Sequence, residues 1–191
     1  MSRLYTQCVY PLTADGDSAR IGLELHRKEK LMRPALILTS GGEEIKIVLD
    51  QWLIFKVHLL QFKNYCNGTF LYASNVDLSN EDYEITMLTE HRFDGTLKFS
   101  VKARDKQETK IISFNEEAVR HLHRIRYLIE HYYTKIKYHK RQINAFVHGM
   151  LTMKENENFH MDFTPIAILD PQFDIRLLVG EIGVYALSLS L

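Results

Sequence analysis

The chain has 191 residues with 24 Lys/Arg and 24 Asp/Glu, so its formal charge is zero, and 46% of its residues are hydrophobic. That balance excludes a protein that coats duplex DNA by bulk charge, and the composition is that of an ordinary globular protein. No apolar run approaches the roughly 20 residues that span a bilayer, and the start of the chain lacks the apolar core of a signal peptide. The expectation is an intracellular protein, placed in the nucleus, with no membrane partner.

In chain order, short alternating runs predict strands at Leu4–Tyr10, Arg20–Arg27, Ala35–Ser40 and Glu44–Leu49, with Gly41-Gly42 as a hairpin turn. A helix follows, starting from Asp50 as N-cap and running to about Asn64. Its expected inward face is Leu53, Ile54, Val57, Leu60 and Gln61. A second series predicts strands at Thr69–Ser74, Tyr83–His91, Thr96–Arg104 and Thr109–Phe114, with Asp94-Gly95 as a turn. Asn115 then caps a helix whose apolar face is Ala118, Val119, Leu122, Ile125, Ile129, Tyr132 and Ile136.

The two series match at a shift of 65 residues, which sets Ile47 on Ile112, Leu49 on Phe114, Asp50 on Asn115 and Leu60 on Ile125. An internal repeat of this kind decides the architecture. The fold class is α+β, with two tandem β-β-β-β-α units whose antiparallel sheets carry helices packed antiparallel as an intramolecular pseudo-dimer. The units span residues 1–66 and 67–141. Residues 142–191 form an appendage, a helix over Gln142–Met153 and then two or three strand-like segments, packing on the core.

Charge is unevenly spread. Eleven Lys/Arg stand against five Asp/Glu from Val101 to Arg141, and two against six from Gln142 to Leu191. Strand alternation puts Lys98, Ser100, Lys102 and Arg104 on the face opposite Leu97, Phe99 and Val101. Arg20 and Lys46 fall outward on the first sheet, beside the loop Arg27-Lys28-Glu29-Lys30 and Arg33. A sheet of this kind holds single strands, with cations on phosphates and rings such as Tyr72, Tyr83 or Phe93 stacked on bases. The rival reading is a solvated outer face with the aromatics in the core. The second helix carries a further run, Arg120, Arg124, Arg126, Lys135, Lys137, Lys140 and Arg141, which could meet nucleic acid or an acidic partner, although a solvated helix face is the commoner explanation of such a run.

No phosphate-binding loop, nucleophile elbow or dinucleotide fingerprint occurs, so neither catalysis nor a cofactor is expected. Cys8 and Cys66 lack metal-ligand spacing, and the nine histidines form no ligand set, so no metal is expected.

The phrase Ile45-Lys46-Ile47-Val48-Leu49-Asp50-Gln51-Trp52 resembles the strand-to-helix junction of the transcriptional coactivator family called positive cofactor four, single-stranded DNA-binding proteins of whirly-like fold. Lys110-Ile111-Ile112-Ser113-Phe114-Asn115-Glu116-Glu117 is similar to the same junction without the Trp. The resemblance implies a four-stranded sheet followed by a helix, dimerisation through helices, and a groove for single-stranded DNA. Two units in one chain would stand for the two subunits. It adds Lys46 and Lys110 to the binding candidates by their place before the cap. Glu24, Glu84 and Glu90 depart from the family by interrupting the basic strip. The expected function is single-stranded DNA binding in replication or transcription, with RNA as a further ligand and replication or transcription proteins as partners. The alternative is a protein–protein module that keeps the fold without the groove.

Overall fold

A computed structural model describes residues 4–26, 29, 31–66, 75–88 and 96–153. Two four-stranded antiparallel sheets, each followed by a helix, make up the described chain. The first sheet has the order β1 (Tyr5–Pro11), β2 (Ser18–His26), β3 (Leu31–Ser40), β4 (Glu43–Val48), and α1 (Leu49–Cys66) follows it. The second has β5 (Val76–Asp77), β6 (Tyr83–Leu88), β7 (Leu97–Ala103), β8 (Thr109–Phe114), and then α2 (Glu116–Met153). The tandem α+β architecture expected from the repeat is therefore present. The expected strand at Thr69–Ser74, the turn at Asp94-Gly95 and everything from residue 154 onward lie outside the described residues.

Local chemistry explains the joints. Gly41 and Gly42 both take positive φ (57° and 80°), and Ser40 pairs directly with Glu43. Two left-handed residues in a two-residue loop match the twist of the flanking strands, and glycine adopts them without a Cβ penalty. Asn115 caps α2 as expected, its Oδ1 accepting the Ala118 amide at 2.9 Å. Asp50 does not cap α1, because the helix already begins at Leu49. Instead Gln51 Oε1 reaches back to accept the Val48 amide at 2.8 Å, the reciprocal half of a capping box. Asp50 sits in the first turn, where its charge complements the helix dipole.

Alternation along β6, β7 and β8 produces a clean inner face. Ile85, Met87, Leu97, Phe99, Ile112 and Phe114 are all buried. The register sets Phe99 opposite Ile112 and Leu97 opposite Phe114. Onto this face comes α1, not by the stripe expected for it. Trp52, Phe55 and Leu59 are buried, whereas Leu53, Ile54 and Val57 are 50%, 45% and 48% exposed. The cause is the aromatic chain Trp52–Phe55–Phe99–Phe114, whose successive centroids lie 6.0, 5.8 and 6.0 Å apart in edge-to-face contact. Gln51 Nε2 adds a bond to the Leu78 carbonyl, so α1 is tied to the second sheet by polar and apolar contacts together. The helix of the first repeat thus packs on the sheet of the second.

The chain forms two compact units that cut across the repeats. One comprises Cys8–Ile21 and Ala35–Tyr132; the other comprises the described residues within Ser2–Gln7, Gly22–Pro34 and Tyr133–Leu191. In the first unit Lys56 Nζ meets Glu130 Oε1 at 2.5 Å, joining α1 to α2. In the second, the Met32 amide donates to Asn144 Oδ1 at 2.9 Å, fixing the start of β3 on α2. The helix expected at Gln142–Met153 is not separate, because α2 runs unbroken for 38 residues and an expected boundary falls inside it. No proline or glycine interrupts the segment until Gly149, so nothing stops propagation there.

Truncating Phe55 to Ala should cost about 3–5 kcal/mol, as for other large aromatics removed from a core. Val57→Gln on the exposed stripe should stay within about 0.5 kcal/mol. Urea unfolding of both variants checks the orientation of α1; equal losses would contradict it.

Candidate nucleic-acid interface

The outer face of the second sheet follows from the register. Lys98 lies between Leu88 and Ser113, Ser100 between Thr86 and Ile111, and Lys102 between Glu84 and Thr109. Every second residue of β7 therefore presents a polar side chain on this face, as alternation implied, with Arg104 immediately beyond the strand end. Lys98 and Lys102 are about 14 Å apart along the strand, at roughly 3.4 Å per residue.

The ion pairs that Lys102 and Arg104 make with Glu84 are loose. Lys102 Nζ stands 3.7 Å from Glu84, and Arg104 Nη1 stands 3.8 Å from the same carboxylate. All three side chains are 39–50% exposed. Pairs of this kind are worth about 0–1 kcal/mol and yield readily to a competing anion. Arg104 is oriented independently of Glu84, because its Nε donates to the Asn80 carbonyl at 2.9 Å.

The loop that holds Arg104 is itself tightly built. Asn80 Oδ1 accepts the amides of Asp82 (2.9 Å) and Tyr83 (2.8 Å), and Asp77 Oδ1 accepts the Ser79 amide (2.8 Å). Hydrogen bonds from the Ser79 side chain and amide hold the Asp77 carboxyl below its usual range, with the Arg104 charge adding to the effect. Asn80 was not among the sequence candidates. Its signal was the run of turn formers from Asp77 to Asp82.

The other candidates are placed differently. Arg20 Nη2 lies 2.5 Å from Glu44 Oε1 with both side chains largely covered (17% and 18% exposed). Lys46, on the face opposite Ile45 and Ile47, is 14% exposed and meets Asp82 at 3.1 Å. Lys110 reaches both Glu43 oxygens, at 2.8 and 2.9 Å. By alternation along β8 it shares a face with Ile112 and Phe114, away from Lys98 and Lys102. Lys46 and Lys110, implied by the family resemblance, therefore act as ties between β4 and the second repeat, inside the first compact unit, and are not part of the outer basic row. Tyr83 also turns to the inner side, in step with Ile85 and Met87. Arg33 Nη2 pairs with Glu29 at 2.5 Å. Arg27, Lys28, Lys30 and Tyr72 lie outside the described residues, as does Phe93.

A cavity of about 450 Å³ opens between the β3–β4 turn and the β7–β8 connection, with Tyr83, Val101 and Ile112 in its walls. Glu43, Glu44, Asp105 and Glu108 outnumber Lys106 and Lys110 around it. That rim repels phosphate, so the polyanion candidate is the outer face and not this cavity. Among the described residues no group of three or more potential metal ligands comes together, and no helix is long and apolar enough to cross a membrane.

No family model, curated protein or solved structure matches this chain.

The Glu43 carboxylate beside Lys110 raises the lysine above its ordinary pKa, first through their hydrogen bond and then through charge. A raised folded pKa means that this contribution to stability is present below the ordinary lysine value and lost as pH rises through the folded one. Glu43→Gln should bring Lys110 back toward the ordinary value in an NMR titration of its side-chain Cε. An unchanged titration would show that the pair does not persist in solution.

Proposed function

We propose that this chain binds single-stranded DNA without catalysis and with little sequence preference, using the outer face of its second sheet. The observation that carries the reading is the row Lys98, Lys102 and Arg104, in which Lys102 and Arg104 share one carboxylate, Glu84, through two loose pairs. A phosphodiester chain laid along β7 meets those cations in turn. Each phosphate neutralised releases condensed counterions, so affinity should fall as salt rises. The described outer face of this sheet carries no aromatic ring, and Ile111, 57% exposed, is its accessible large apolar side chain. Backbone contacts therefore dominate, and such contacts position a strand without reading bases. The tandem β-β-β-β-α fold and the resemblance of the β4–α1 junction to the positive cofactor four family support the same assignment.

The second reading, a protein-interaction module, draws on two observations. Arg20, Lys46 and Lys110 are committed to acids, and α1 leaves Leu53, Ile54 and Val57 in the open. The two readings separate cleanly in solution.

Fluorescence anisotropy of a labelled single strand across a salt series tests the proposal, with unlabelled duplex as competitor. Binding should weaken with salt and resist the duplex. K98Q/K102Q/R104Q should lower the log–log salt slope by about 2, at roughly 0.7 per phosphate contact on a single strand. Absence of binding at low salt would overturn the proposal in favour of the interaction module.

A further inference from the structure

The second half of α2 is chemically unlike the first. Glu116, Glu117 and Glu130 all precede residue 131, and from His131 to Met153 there is no acid, while Lys135, Lys137, Lys140 and Arg141 follow one another. Helix geometry makes Lys137 and Arg141 neighbours one turn apart, and like charges at that spacing destabilise an isolated helix by about 0.2–0.5 kcal/mol. Lys137, Lys140 and Arg141 are exposed, and Tyr138 between them is 82% exposed. No acid of the same half-helix offsets this pair, and an anion lying across the face relieves the repulsion.

The fold brings a further cation to the same place. The Met32 amide is bonded to Asn144, one turn beyond Lys140, which sets Arg33 at the edge of this helix face. Glu29, from the preceding turn, pairs with Arg33 at 2.5 Å. Its carboxyl is held below the usual range first by that hydrogen bond and then by the charges of Arg33, His26 and Lys140. Glu29 is thus paired with Arg33, while Lys137, Lys140 and Arg141 are exposed on the helix to which β3 is bonded.

We propose that Lys137, Lys140 and Arg141, with Tyr138 one turn before Arg141 and Arg33 on the bonded strand, form a second contact surface for the phosphate backbone of a single strand. The inference rests on the single-strand reading above and extends it to a surface remote in sequence from β7. Charge complementarity names the partner as a polyanion. A lipid surface fits less well, because a membrane-surface helix lays aliphatic side chains into the bilayer, and here Ile136 and Ile143 are buried in the protein. Tyr138 suits stacking against a base, which is tolerant of sequence.

The test compares the full-length chain with K137Q/K140Q/R141Q and, separately, with K98Q/K102Q/R104Q, by anisotropy of a labelled single strand across a salt series. All three α2 residues are exposed, so thermal unfolding followed by circular dichroism should show the fold intact. The expected result is a salt slope lower by about 2 for the α2 variant, at roughly 0.7 per lost phosphate contact. An unchanged slope in the α2 variant with a reduced slope in the β7 variant would overturn this inference and leave the single-strand reading standing. No binding by the unsubstituted chain would overturn both. Unsubstituted chain that binds phosphatidylserine-containing vesicles through these residues, with the oligonucleotide slope unchanged in the variant, would reassign the surface to lipid.

Discussion

Trp52 and Phe55 reach the second sheet through Phe99, and the described arrangement depends on that contact. Two rings of α1 and two of β7 and β8 meet edge to face, all buried. Each such side chain removes on the order of 150–250 Å² from water, roughly 4–6 kcal/mol at about 25 cal/mol per Å², against about 0–1 kcal/mol for an exposed ion pair. Because the helix belongs to one repeat and the sheet to the other, neither repeat completes its core from its own residues. Gln51 reinforces the same junction, with one end of its amide closing the start of α1 and the other bonded to Leu78.

That junction determines which charges are left for a ligand. With α1 fixed on the second sheet, β4 comes alongside β8, and Ser40 Oγ donates to the Ser113 carbonyl at 2.7 Å. Glu43 and Lys46 then lie within reach of Lys110 and Asp82, and cations that a strand pattern would assign to binding become structural ties. The outer side of β7 is turned away from this contact, so Lys98, Lys102 and Arg104 remain on an accessible face. The same logic applies at α2. Its first half is tethered through Glu130 to Lys56, while its second half has no acid of its own to match its cations.

Much of this was legible in the residues. The 65-residue shift exposed the repeat, the β7 alternation sorted inner from outer side chains correctly, and the Gly41-Gly42 turn and Asn115 cap lie where local chemistry put them. The orientation of α1 was not legible, because its sequence offers two apolar stripes, Leu53/Ile54/Val57 and Trp52/Phe55/Leu59, and periodicity cannot choose between them. A partner far along the chain, Phe99, made the choice. The acidic partners of Lys46 and Lys110 were not legible for a related reason: position before a cap says nothing about which acid stands opposite in the fold. The cap of α1 slipped by two residues because Gln51, not Asp50, supplies the side chain that closes the turn. The continuous length of α2 was obscured because the internal repeat ends near Arg141 while the helix runs on to Met153.

The central claim is that α1 belongs to the core of the second sheet, and native-state hydrogen exchange on a Phe99→Ala variant of the full chain tests it most directly. The account predicts that amide protection falls in α1 as well as in β7 and β8, since the ring that anchors Phe55 is gone. Loss of protection confined to β7 and β8, with α1 as protected as before, would contradict it and return α1 to a core of its own.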